Sequence, residues 1–303
     1  MRIADLLEFL PSWREKGWEP VSPEHYAEIW QRYGGSVATH PEFVRRLSQF
    51  AGIPVRYLAM VAGEKPLAAI PTWGHYLALS KRVLKQRGMK RIFDLGNAEI
   101  ILPTSPEARV ALRFHAEYVS EKNVQCFAGL RHQGDSIALL RPPEDYRGKF
   151  LYNHRRELRK FQEQGGRILP VAQLSGAQMA EIYGRLFSLR WGFDAPGKSR
   201  LGEVFSLMHD FMTGVVLFVE DVPVAAQVLY RVVSPTWISV EFVNGGVDPA
   251  YEHLSPGSVL TFLNTQAAWD DARRSGKQLR YSFGRADRDY KMRWCTPVPV
   301  YRY

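Results

Sequence analysis

The chain has 303 residues, 46% hydrophobic and 23% charged, the balance of a globular protein without a low-complexity tract. Its apolar runs fall short of the ~18 residues that cross a membrane as a helix, and its cysteines, Cys126 and Cys295, are too few for a disulfide framework, which points to a reducing cytoplasm. A formal net charge of +9, from 40 basic against 31 acidic residues, points to anionic company: a phosphorylated cofactor, RNA or the anionic surface of a membrane.

Asp5 and Glu8 interrupt the first apolar stretch and argue against a secretory signal, whereas Ile3, Leu6, Leu7 and Leu10 share one helical face and predict a short docking helix. Pro23, behind Ser22, opens a helix over residues 24–33 that Gly34-Gly35 close, and Pro41 opens a second over 41–51. Apolar runs at 55–62 and 67–73, joined by Gly63-Glu64-Lys65-Pro66, predict a hairpin. A basic segment at 80–91 leads into expected short strands at 91–95 and 99–102. Thr104-Ser105-Pro106-Glu107 reads as the start of a helix over 106–121, with Val110, Phe114 and Val119 as its apolar stripe. Strands are expected at 124–130 and 136–141.

Pro142-Pro143 and Gly148 mark a boundary, dividing the chain into domains at 1–141 and 142–303. Beyond it, a helix over 146–164 turns Leu151, Leu158 and Phe161 inward. Its outer face carries Arg155, Arg156, Arg159 and Lys160, which suit phosphate or lipid headgroups and equally plain solvent. A strand at 167–171 follows, then helices at 175–191 (Ile182, Leu186 and Leu189 inward) and 201–212, and a hairpin of 215–219 and 223–233. Residues 238–243 form a β-rich run with one acid, Glu241, which Asn244-Gly245-Gly246 is expected to end. Ser255 fits an N-cap, Pro256 a first helical position and Gly257 a close backbone approach, ahead of a helix running through Trp269. Such a start either offers N–H groups to an anion such as a pyrophosphate or is simply a well-capped helix packed on a sheet. A closing strand is expected at 279–283.

The two halves invite comparison. GEKPLAAI at 63–70 matches EDVPVAAQ at 220–227, and Ser105-Pro106 matches Ser255-Pro256 at nearly the same offset, the pattern of an internal duplication.

Three stretches carry a resemblance to known families: NHRRELRK (153–160), LSPGSVL (254–260) and YSFGRADRDYKMRW (281–294). The second half resembles the GNAT acyltransferases related to the FemABX aminoacyl-transferases and the cellulose-associated acyltransferase-like proteins. Over its whole length, including YGGSVATHPEF (33–43), the chain is similar to the Mig-type proteins associated with antimicrobial-peptide resistance in Gram-negative bacteria. The resemblance implies an α/β (α+β) fold of two GNAT-like lobes in tandem, each a mixed, mostly antiparallel sheet flanked by helices. It also implies acetyl-CoA or a longer acyl-CoA as donor, held by Val243, Ser255, Pro256, Gly257 and Ser258. One departure matters: acyl-CoA-binding members carry an Arg/Gln-x-x-Gly-x-Gly/Ala loop, whereas here the loop reads HLSPGS and Pro256 removes one N–H donor. Glu107, at the corresponding place in the first half, would repel phosphate, so the second half is the expected donor site.

The candidate residues follow. Glu241, an acid in an apolar strand, is the candidate base for acyl transfer to an amine, or an ordinary strand residue. Tyr281 and Tyr290 are candidate acids for the leaving thiolate, or aromatic walls. Arg285, Asp287, Lys291 and Arg293, with Tyr290, are the candidate substrate contacts, or a salt-bridged surface loop. The scattered histidines show no metal-ligand spacing, no Gly-x-Ser-x-Gly elbow is present, and no helix-turn-helix or zinc module points to DNA. The leading expectation is a cytoplasmic, membrane-peripheral N-acyltransferase. Its rivals are a catalytically degenerate protein that binds an anionic lipid, a peptide or a protein, and an aminoacyl-tRNA-dependent transferase, which lacks the helical hairpin expected of it. An unpaired sheet edge would support a homodimer.

Overall fold

The computed structural model describes residues 13–303; the docking helix expected at Ile3, Leu6, Leu7 and Leu10 lies outside the described residues. The local signals of the first half act as expected at its start. In α1 (Pro23–Tyr33) the Ser22 hydroxyl accepts the His25 amide at 3.1 Å, and Gly34, at φ 80°, ends the helix. α2 (Pro41–Phe50) follows. The strands β1 (Glu19–Val21), β2 (Arg56–Ala62), β3 (Lys65–Trp73) and β4 (Tyr76–Leu77) form an antiparallel sheet in that order, with the expected hairpin as its centre.

From β4 onward the first half departs from expectation. Only a short α3 (Lys81–Gln86) forms in the basic segment. Residues 91–95 are turn rather than strand, and 99–102 contribute a single bridge, Ile100 to Val119. The helix expected over 106–121 does not form: β5 (Val110–Ala111) pairs in parallel with β7 (Phe127–Ala128), and β6 (Val119–Ser120) joins a sheet edge. The reason is periodicity. Ala108, Val110, Leu112, Phe114 and Ala116 are all buried, an alternation of two, whereas Val110, Phe114 and Val119 alone suggest a helical stripe. One landmark of the apparent duplication, the helix start at Ser105-Pro106, therefore has no counterpart in the fold.

The larger sheet has eight strands in the order β6-β14-β8-β13-β12-β11-β10-β9. They are β8 (Arg131–Leu140), β9 (Gly166–Pro170), β10 (Val215–Val219), β11 (Val222–Val233), β12 (Trp237–Val247), β13 (Gln278–Arg285) and β14 (Cys295–Arg302), with β6 at one edge. α4 (Gly148–Glu163) and α7 (Pro256–Ser275) cover one face. α5 (Gly176–Trp191) and α6 (Leu201–Met208) cover the other, together with α1 and α2. A last short helix, α8 (Asp289–Met292), precedes β14. The α5 face differs from its expected stripe. Leu189 is 45% exposed, and Met179, Tyr183, Leu186 and Phe187 are the buried residues. α6 stops at Met208, followed by a 3-10 turn rather than helix to 212.

Asn244-Gly245-Gly246 does not end β12, which runs on to Val247. Gly246 is there because α5 passes directly over it: a Cβ would lie 2.4 Å from the Leu186 carbonyl carbon. The expected boundary at 141/142 falls just after β8, yet β6 and β8 are built into the larger sheet. Trp30 and Phe43 of the first half share one core with Met208 and Tyr230 of the second. The YGGSVATHPEF stretch is the stitch between them. Trp237 Nε1 donates to the Gly35 carbonyl at 2.9 Å and the Val37 amide to Ser239 Oγ at 3.2 Å, while Thr39 Oγ1, donating to the Ile101 carbonyl at 2.8 Å, anchors the stretch within the first half.

Candidate functional site

The parallel pair β12–β13 is held in register from Trp237 opposite Gln278 to Glu241 opposite Ser282, and there it stops. β13 then pairs only with β8, through Arg285 opposite Ile137, while β12 continues beside β11 alone. The sheet therefore splits. A turn from the first half wedges the split on the α5 face: Gly96, at φ 57°, lies so close that a Cβ would be 3.3 Å from the Val243 carbonyl oxygen, and Asn97 faces Gly284. Asp94 Oδ1 fixes this turn by accepting the Gly96 amide at 2.9 Å. On the α7 face the rings of Phe242 and Phe283 meet edge to face, 5.3 Å apart.

Glu241 stands at the apex of the split and is buried. Its Oε1 accepts the Glu99 amide at 3.0 Å. Burial, then the neighbouring Glu99 carboxylate, hold its carboxyl well above the usual carboxylate range, which favours its protonated form. Glu99 is itself fully buried and pairs with Arg280, which also reaches Glu121 at 3.1 Å.

On the α7 face, beside the split, lies a cavity of about 200 Å³. Its floor is the β12 segment from Phe242 to Val247 with Gln227 of β11, and its rim is Gly257 and Ser258 at the start of α7. Gln227, Thr261 and Asn264 form a polar rail: Gln227 Nε2 donates to Thr261 Oγ1 at 2.9 Å, and Asn264 Nδ2 to Gln227 Oε1 at 2.8 Å. His154 of α4 closes one wall. Its ring stacks on Trp294 at 4.6 Å, and its Nδ1 pairs with Glu157 Oε2 at 2.9 Å, so Nε2 is the nitrogen left for a ligand. Tyr290, Arg293 and Arg190 complete the wall without a carboxylate among them. Arg190 donates to the Gly245 carbonyl at 3.3 Å. Burial raises the Tyr290 phenol above its ordinary value, leaving it a proton donor at neutral pH.

The opposite face of β12 is also hollow. A cavity of about 540 Å³ reaches Val243 and Asn244 there. It shares Lys81, Phe93 and Asn97 with a larger one of about 760 Å³ between β4, α3 and the ends of β8 and β14.

The residues singled out in the sequence are thus dispersed. Gly257, Ser258, Tyr290 and Arg293 meet around the smaller cavity, while Val243 lines the cavity on the far face. Ser255 takes a left-handed conformation, φ 51°, and caps α7 without a side-chain hydrogen bond, and Pro256 is buried. Glu241 and Tyr281 line none of these cavities; Tyr281 is sealed in the core against Phe283. Arg285 pairs with Asp135 at 2.8 Å and Asp287 with Lys291 at 3.1 Å, as a salt-bridged loop. Arg155, Arg156, Arg159 and Lys160 are exposed on α4. His154 was legible only as the i,i+3 partner of Glu157 inside NHRRELRK. Nothing local marks Arg190 or Gln227, which arrive from α5 and β11. Among the described residues no His, Cys, Asp and Glu group is placed to hold a metal ion, and no helix is long and apolar enough to cross a membrane.

In overall structure the chain is similar to FemX, with a TM-score of 0.56 at 8% identity, covering 94% of this chain and 96% of that one. It is also similar to L-PGS from Bacillus licheniformis, with a TM-score of 0.49 at 10% identity, covering 94% and 92%. The C-terminal domain of a putative lysylphosphatidylglycerol synthetase from Agrobacterium fabrum gives 0.47 at 13% identity, covering 93% and 92%. Comparison with curated proteins finds no match. The fold is thus the GNAT-like one, with mixed sheets flanked by helices. With residues 40–303 matching its pattern, the chain belongs to the Mig-14 family.

Proposed function

We propose that the protein is a GNAT-type transferase that moves an acyl or aminoacyl group from a phosphorylated carrier to an amine. The observation that carries this reading is the pair of hollows on the two faces of β12 where its pairing with β13 ends, one for the donor and one for the acceptor. The 200 Å³ cavity accommodates the acyl end and its ester or thioester, with the carrier's phosphates outside, beside Ser258 and the cation of Arg293. Acetyl-CoA or a longer acyl-CoA is the proposed donor.

In this scheme the amine nitrogen bonds to the acyl carbon and the bond from that carbon to the carrier breaks. His154 Nε2 takes the amine proton, with Glu157 stabilising the imidazolium, and the Tyr290 hydroxyl protonates the departing atom. Glu241, buried and lining neither hollow, positions the wedge through the Glu99 amide rather than exchanging protons with substrate. Resistance to cationic peptides, by modification of an envelope amine or of the peptide, is the proposed outcome. The exposed α4 cations would hold the protein at the cytoplasmic face of a membrane.

Calorimetry with acetyl-CoA and octanoyl-CoA, repeated on Gly257→Glu, tests the donor site. Saturable heat that disappears in the variant supports it; heat that survives the new carboxylate places the donor elsewhere. With a donor established, His154→Gln and Tyr290→Phe should each lower kcat about 10²- to 10⁴-fold. The rival reading, a binding protein without turnover, is favoured by the absence of heat with any acyl-CoA.

A further inference from the structure

The 760 Å³ cavity has a feature that its size does not explain. Arg131 of β8 and Arg302 of β14 are register partners, directly opposite each other on neighbouring strands, and both line it. Like charges so placed destabilise a sheet. Neither makes an ion pair or a side-chain hydrogen bond among the described residues. Lys81 and Arg82 approach from α3, also without a close ion pair among the described residues, although Asp94 and Glu117 act on Lys81 from a longer range. Lys81 Nζ donates only to Asn97 Oδ1 at 3.0 Å, and Arg82 lies over the Tyr76 ring at 5.9 Å. Against these four cations the cavity wall carries one acid, Glu117. Tyr76, Leu84, Phe93 and Tyr303 give the lining its apolar and aromatic part, and Ser80, Asn97 and His115 are further polar residues of the wall.

Two exposed arginines at directly opposed strand positions, both lining a half-apolar cavity, match one ligand chemistry, a doubly charged oxyanion attached to a body that packs on aromatic walls. We propose that this cavity binds a phosphomonoester, its phosphate bridging Arg131 and Arg302 within reach of Lys81 and Arg82. The cavity adjoins the hollow under Val243 and Asn244 through Lys81, Phe93 and Asn97. On the transferase reading, then, the amine acceptor is a phosphorylated molecule. The binding itself does not depend on that reading.

The probes are dihexanoyl phosphatidic acid below its micellar concentration and glucosamine 1-phosphate, each beside its phosphate-free counterpart, dihexanoylglycerol or glucosamine. Titrated into the full-length protein, at least one phosphorylated probe should bind saturably, and its counterpart should not. The double variant Arg131→Gln/Arg302→Gln should weaken that binding at least about tenfold, while Arg273→Gln/Arg274→Gln, at the exposed end of α7, removes the same charge and should leave it unchanged. Which phosphorylated probe binds identifies the body as lipid or sugar. Equal loss in both double variants would reduce the effect to net charge and overturn the site, as would silence from both phosphorylated probes. Should the first double variant fail to fold, acylation of Lys81 in the wild-type protein decides the matter. The binding probe should slow it several-fold, and unchanged labelling overturns the proposal. Binding of a phosphorylated probe without heat from any acyl-CoA would leave this site standing and remove the transferase reading.

Discussion

The carboxyl of Glu241 accepts the backbone amide of Glu99, 142 residues away, at 3.0 Å, while the Glu99 side chain turns to Arg280. Two acids thus meet where the sheet divides, one bonded to a backbone amide and one paired with an arginine. This contact holds the first half of the chain against the apex of the split, and it makes the region sensitive to pH in a defined direction.

Because the folded protein holds the Glu241 proton more tightly than the unfolded chain does, the native state binds more protons above the ordinary carboxylate pKa. Stability from this group is complete below about pH 4 and declines as pH rises above it. Glu241→Gln keeps an acceptor for the Glu99 amide and removes the titration. Urea unfolding at pH 5, 7 and 9 should show the variant at least as stable as wild type at pH 9, with a flatter profile. A variant that loses stability equally at all three values would mean that Glu241 is ionised in the fold.

Arg280 is the counter-charge of the fully buried Glu99. Arg280→Met strands that carboxylate and should cost about 3–5 kcal/mol. The double variant Arg280→Met/Glu99→Gln should recover much of the loss, since it removes both the charge and its partner. No recovery in denaturant titrations would show that the packing of Arg280, not its charge, is what matters.

His40 supplies a second pH dependence with the opposite slope. Burial between Trp30 and Phe211 lowers its pKa to about 4, and its Nδ1 accepts the Phe43 amide at 3.4 Å as the cap of α2. Here the unfolded chain binds the extra proton, so stability is present above about pH 6.5 and falls as pH drops toward 4, by up to about 3 kcal/mol. His40→Asn retains a capping side chain and should abolish that fall between pH 7 and 4.5. An unchanged acid limb in the variant would move the effect to another group.

Two glycines that line the 200 Å³ cavity should respond differently to alanine. A Cβ at Gly246 would sit 2.4 Å from the backbone of Leu186, so Gly246→Ala must push α5 from β12 and should cost about 1–3 kcal/mol. A Cβ at Gly257 meets only Val247 Cγ2 at 3.4 Å, and Gly257→Ala should change stability by less than about 0.5 kcal/mol. Thermal unfolding of both separates them; equal losses would place the packing constraint elsewhere.

What the sequence determined by itself is what a few adjacent residues can decide. Ser22-Pro23 and Pro41 open helices whatever surrounds them, the 63–66 turn makes a hairpin, and Pro256-Gly257 starts α7. Those choices rest on φ preferences and on backbone groups only a few bonds away. Where the same pattern admits two periods, context chose. Residues 108–116 became extended because a strand surface waited for an alternating face, and Asn244-Gly245-Gly246 stayed in β12 because α5 needed the missing side chain. Gly257, Ser258, Tyr290 and Arg293 can be singled out in the sequence, but their meeting in one site lies on the second side of that line. His154, Arg190, Gln227 and Tyr290 come from four separate elements, and the opposed arginines 131 and 302 are neighbours only through strand register. Glu241, which reads as a base in its own strand, is buried and bonded to the Glu99 amide because Glu99 and the 94–97 turn arrive from a distant part of the chain. Desolvation and pairing across such distances belong to the tertiary structure alone.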